Sequence, residues 1–140
     1  MKVIAKEVLA RILERISIVP NAVVYNDLMW TYDFTTNGTA IIKEFSYTTK
    51  TGRFLVFGTV PLKTSRYTSA AYVRVNNQYV GGDGTNFTGQ ARTVIPMAVY
   101  SGQKGATYTL ELVIQSQDSG TTAIVPNYNP CQFGAIDIQT

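Results

Sequence analysis

The spacing of apolar positions changes once along the chain, near Pro20. Before it, Ile4, Ala5, Val8, Leu9, Ile12, Leu13 and Ile16 recur three and four residues apart. At 100° per residue these positions share one side of a helix. Lys6, Glu7, Ala10, Arg11 and Glu14 lie opposite, and Glu7 precedes Arg11 by the four residues that favour a helical ion pair. The spacing therefore predicts an amphipathic helix over residues 2–16. After Pro20 every apolar run is short, rich in Val, Ile, Thr, Tyr and Phe, and bounded by Gly, Pro, Asn or Ser, the signature of strands. Predicted strands are 22–25, 28–34, 39–48, 53–60, 67–76, 90–100, 107–116, 121–125 and 133–138. Asn37-Gly38, Lys50-Thr51-Gly52 and Asp118-Ser119-Gly120 read as turns, and Gly81-Gly82-Asp83-Gly84 as a loop tip.

Strands without a later helix define the expected architecture. It is a mainly β chain, an antiparallel jelly roll or β-sandwich, preceded by a short amphipathic helix. Residues 1–19 form the helical arm and 20–140 the β domain.

Alternation assigns the faces. Tyr108, Leu110, Leu112 and Ile114 point inward, as do Ala71, Val73 and Val75, while Tyr72, Arg74 and Asn76 point out. Phe54-Leu55-Val56-Phe57 is apolar on both faces and needs two apolar environments. Phe54, Leu55 and Phe57 are therefore candidates for a subunit interface, with Ile4, Val8 and Ile12 of the helix. The alternative is that these strand residues lie under a loop or under the helix itself.

Composition narrows the chemistry. The chain has 140 residues, of which 45% are hydrophobic and 15% charged, against roughly 25% charged in an average soluble domain. It is long enough to support a core without a metal or disulfide. With no histidine, the usual nucleophile–base couples and histidine metal ligands are excluded. Cys131 is the single cysteine, so neither an intrachain disulfide nor a four-cysteine zinc site is possible; its Pro130 and Phe133 neighbourhood favours packing. Asp83 is the one carboxylate of the glycine loop, too few for calcium. Asp27 and Asp33 would share a face of the 28–34 region and are the sole route to carboxylate catalysis. No base or nucleophile elbow accompanies the serines, so no enzyme, catalytic residue, metal or cofactor is expected.

Of the net charge of +3, Lys2, Lys6, Arg11 and Arg15 against Glu7 and Glu14 account for two charges; the remaining basic residues are scattered singly. That distribution lacks the basic stripe of a nucleic-acid binder. Lys6 and Glu7 interrupt the first apolar run, which argues against a secretory signal, and no stretch is long enough for a membrane helix. Trp30, Tyr72 and Tyr79 are candidate glycan contacts.

Two segments carry a family likeness. Ser101-Gly102-Gln103-Lys104-Gly105 leads into Ala106-Thr107-Tyr108-Thr109-Leu110-Glu111-Leu112, then the Ser119-Gly120-Thr121-Thr122-Ala123 hairpin and Phe133-Gly134-Ala135-Ile136-Asp137-Ile138. Earlier, Ser69-Ala70-Ala71-Tyr72-Val73-Arg74-Val75-Asn76-Asn77 reads as a strand running into a short loop. Together these resemble the C1q and tumour-necrosis-factor-like jelly rolls of bacteriophage virion proteins. The resemblance implies a jelly roll that assembles as a homotrimer. Without a shaft repeat or signal before the β domain, it implies a capsid decoration (cement) protein on the outer capsid surface of the virion, made in the host cytoplasm. Its partner would be the major capsid protein lattice, with no nucleic acid or membrane. Lys2, Lys6, Arg11 and Arg15 would face capsid or partner subunits. The alternative is a receptor- or carbohydrate-binding head domain of a phage tail or fibre.

Overall fold

A computed structural model describes residues 6–8, 21–25, 38–65, 68–86, 89–116, 122–124 and 131–138. Lys6, Glu7 and Val8 are helical, within the predicted span. The strands are β1 (Ala22–Tyr25), β2 (Thr39–Thr48), β3 (Arg53–Thr64), β4 (Ser69–Val75), β5 (Gln78–Thr85), β6 (Arg92–Val94), β7 (Met97–Ser101), β8 (Thr107–Ser116), β9 (Thr122–Ile124) and β10 (Gln132–Asp137). The expected strand 28–34 lies outside the described residues.

All pairings are antiparallel and form two sheets. One has the order β2-β8-β4-β5; the other is built on β3, with β1-β10-β3-β6 as its path and β7 and β9 also pairing β3. β3 is the longest strand, and its first half pairs with β10 and β7 while its second half pairs with β6 and β9. The predicted strand 90–100 is broken at Ile95-Pro96, because proline has no N–H to give the ladder. The Gly58 N–H donates instead to Pro96 O at 2.8 Å, keeping the two pieces on the same edge of β3.

The core lies between the sheets. Phe54, Val56, Val60 and Leu62 of β3 and Phe133 of β10 meet Val73 and Val75 of β4 and Leu110, Leu112 and Ile114 of β8, all essentially without solvent contact. Inward alternation of β4 and β8 thus follows the sequence. An aromatic cluster fills one end: Phe54 stands 5.1 Å from Tyr47, 5.5 Å from Tyr100 and 5.6 Å from Tyr108, and Phe45 stands 5.2 Å from Phe133, between ring centroids. Such tilted and edge contacts add to the area buried.

Each side of the sandwich is closed by a polar device. On one, the buried Asp137 carboxylate accepts from Thr49 Oγ1 (2.7 Å) and the Lys50 N–H (2.7 Å). The Tyr47 hydroxyl lies within reach of both Asp137 Oδ1, at 2.9 Å, and Asn21 O. This joins the ends of β1, β2 and β10. Burial, reinforced by the Asp137 hydrogen bond and charge, holds the Tyr47 phenol well above its ordinary range. On the other side, β5 approaches β7.

β5 corrects the sequence reading, which took Gly81 to Gly84 for a loop tip. Asn76 and Asn77, at φ of 48° and 66°, form the turn instead, and the chain returns beside β4. The glycines serve approach rather than flexibility: a Cβ on Gly81 would stand 2.2 Å from Met97 O. Asp83 accepts from its neighbour Gly84 N–H and, across the gap, from the Ile95 N–H at 2.8 Å.

Candidate interaction surfaces

The outer face of the β3 sheet is apolar in two adjacent rows. Ala22, Ile136, Leu55 and Val99 lie in register across β1, β10, β3 and β7, and Val24, Gly134, Phe57 and Met97 form the next row. No charged residue occupies either row. Val24, Met97 and Val99 are each about half exposed, at 45%, 51% and 50%, and Ile95 adds a further exposed side chain at the end of β7. Leu55, Phe57 and Ile136 are partly covered. The sequence named Leu55 and Phe57 for a contact surface, and both lie on this face. Phe54, named with them, is fully buried in the chain's own core, because inward and outward positions alternate along β3. Ile95, Met97, Val99, Val24 and Ile136 were not singled out. For Ile95, Met97 and Val99 the signal was the odd-numbered apolar series in 95–99, but which strands flank β3 is a long-range property.

The outer face of the four-stranded sheet has different chemistry. Glu44, Glu111, Arg74 and Tyr79 lie in register across β2, β8, β4 and β5. The Arg74 Nε donates to Glu111 Oε2 at 2.5 Å and an Nη2 hydrogen joins the same oxygen, with side-chain exposures of 17% and 4%. The Arg74 guanidinium also lies over the Tyr79 ring, 5.3 Å from its centroid, a cation–π arrangement. Tyr72 is in register with Gly82 in the next row. A Cβ on Gly82 would stand 2.5 Å from Tyr72 Cδ1 and 2.7 Å from Cε1, so the ring lies across the glycine. Tyr79 meets that ring edge-on, 5.3 Å between centroids and 83° between planes. Tyr72 and Tyr79, seven apart in sequence, therefore form one corner, while Trp30 lies outside the described residues. Alternation predicted Tyr72 and Arg74 outward; it did not predict that Glu111, also outward, would be buried beneath Arg74.

Lys6 and Val8 are exposed, Val8 at 50%. Lys2, Ile4, Arg11, Ile12 and Arg15 lie outside the described residues, as do Asp27 and Asp33. Cys131 is buried, and desolvation pushes its thiol from the ordinary 9.0 up to about 11, the opposite of an activated nucleophile.

With both surfaces defined, known proteins supply the fold class. No family model matches the chain, and no curated relative matches it. Solved structures do. Eiger TNF from S. frugiperda superposes with a TM-score of 0.58 over 86% of this chain and 94% of that one, at 8% identity. Dimeric latent PorU from Porphyromonas gingivalis gives 0.52 over 85% of this chain at 8% identity, and VP2 of infectious bursal disease virus, solved as a subviral particle, gives 0.50 over 86% at 13%. The chain spans 13% of the PorU chain and 37% of the VP2 chain. At such identities the likeness is one of fold: two antiparallel sheets in a jelly-roll sandwich of the kind seen in a TNF and in a viral capsid protein. That fold hosts many functions.

Proposed function

We propose that this chain is a non-enzymatic virion structural protein, a homotrimeric decoration (cement) protein that binds the major capsid protein lattice of a phage head and stabilises it. The observation that carries the proposal is the uncharged apolar face of the β3 sheet. Exposed apolar rows on both sides of Leu55 and Phe57 are costly to leave in water and are a frequent mark of an interaction site. Closed cyclic symmetry would cover such a face without leaving an open end. A protein that binds only the assembled lattice stabilises it by mass action, in proportion to how far its concentration exceeds its dissociation constant. Lys2, Lys6, Arg11 and Arg15 are the proposed capsid contacts. The TNF-like and capsid-like neighbours are compatible with this reading through the fold.

Light scattering over a range of concentrations, followed by co-sedimentation with heads purified from the virus that encodes the chain, tests it. The expected result is a species of about three chains that sediments with heads and raises their melting temperature. Met97→Lys should yield monomers of unchanged circular dichroism. A wild-type monomer at every concentration, or no association with heads, rejects the proposal.

A further inference from the structure

We infer that the corner formed by Tyr72 and Tyr79 on the outer face of the four-stranded sheet binds a neutral saccharide. Tyr72 is laid across Gly82, a position where any side chain would displace it, so its ring rests along the sheet instead of standing away from it. Tyr79 rises beside it at 83° and is 54% exposed. A floor and an upright wall, both aromatic, suit a ligand with an apolar C–H face and polar edges, as a pyranose has.

The polar groups beside the corner are arranged to meet hydroxyls. Arg74 is held by Glu111 through Nε and one Nη2 hydrogen and by the Tyr79 ring, so its position is set before a ligand arrives. A guanidinium has further N–H donors beyond those two, on Nη1 and on the other side of Nη2. In the next row along β4 and β5, Ala70 stands opposite Gly84, so neither strand presents a large side chain there. Among the described residues of β4 and β5, the floor therefore continues past Tyr72 over small side chains.

Charge selects the class of sugar. Arg74 is neutralised by Glu111, and Glu44 is in register with Glu111 on the same face, so the row is net negative. A sialylated, uronic or sulfated glycan would find no unpaired cation in that row and would be repelled by Glu44. An uncharged hexose meets neither obstacle.

The site lies on the opposite sheet from the apolar rows, so it does not depend on the oligomeric reading. Its test is an NMR titration of the intact protein with maltotriose, cellotriose and lactose, following the Tyr72 and Tyr79 ring signals and the Gly82 amide. The expected result is a saturable shift of these signals with at least one neutral sugar, weakened about tenfold by Tyr79→Ala and preserved within about twofold by Tyr79→Phe. Absence of shifts with all three, shifts mapping to another surface, or binding of 3′-sialyllactose in preference to lactose would overturn the inference. The mapping uses the wild-type protein and remains decisive even where Tyr79→Ala does not fold.

Discussion

Removing Arg74 should cost far more than removing its partner Glu111, although both changes break the same ion pair. Glu111 keeps 4% side-chain exposure and Arg74 keeps 17%. In Arg74→Met the carboxylate stays on the central strand β8 with its counter-ion gone and Glu44 in register on β2. Stripping one partner from a buried pair costs about 3–5 kcal/mol, and the burial of Glu111 places this variant within that range. In Glu111→Leu the long Arg74 side chain sits one strand nearer the β5 edge and can carry its charge to water while its stem stays packed, so the expected loss is about 1–2 kcal/mol. The double variant Arg74→Met, Glu111→Leu leaves no buried charge at these two positions and should fall within about 1–2 kcal/mol of wild type. The coupling between the two positions is then about 4 kcal/mol, well above the few tenths expected of independent sites. Urea unfolding followed by circular dichroism, with slopes checked for constancy, gives all four stabilities. Equal losses in the single variants that add in the double one would refute the reasoning, because they would show Glu111 to be hydrated in the native protein.

Phe54→Ala should destabilise the fold by about 3–5 kcal/mol, since a fully buried ring with three aromatic neighbours is lost; a Tm within a degree or two of wild type would contradict its place in the core. Asp137→Asn should cost about 2–4 kcal/mol in urea unfolding, because the amide can accept at only one oxygen where the carboxylate accepts at both. Cys131 should resist Ellman's reagent at pH 8 in the folded protein and react fully once unfolded. Its folded thiol titrates at about 11 against an ordinary 9.0, so the native state holds that proton longer than the unfolded state. Its contribution to stability is therefore complete below pH 9 and falls as pH rises toward 11, with Tyr47 acting in the same sense at higher pH. A midpoint for urea unfolding that stays constant from pH 8 to about 11 would contradict this sign.

Local pattern read most of the β domain well. β2 and β8 run over the residues that alternation predicted, and β1 does too, because their ends are set by turn residues a few positions away. Two misreadings share a cause. The glycines of β5 signalled a turn, but only the proximity of Met97 and Tyr72 explains why side chains are excluded there. The 90–100 strand read as continuous, and Pro96 divides it because β3 supplies the compensating hydrogen bond. Neither neighbour is adjacent in sequence. The same limit governs the surfaces: alternation placed Tyr72 and Arg74 outward, whereas the Tyr72–Tyr79 corner depends on the tightness of the Asn76-Asn77 turn.

By itself the sequence determined which residues of β4 and β8 face inward, that the described residues after Pro20 are β-rich, and that the chain carries no histidine and a single cysteine. These are properties of side-chain identity and of the two-residue period, and they need no partner strand. Tertiary structure alone decided that Phe54 belongs to the core and Leu55 and Phe57 to an exposed face. It also decided that Met97, Val99 and Val24 extend that face and that Glu111 is paired beneath Arg74. Those outcomes depend on which strands pair and in what register, and the pairing joins residues as far apart as β1 and β10. Burial is a property of the assembled sheets, so no local window contains it.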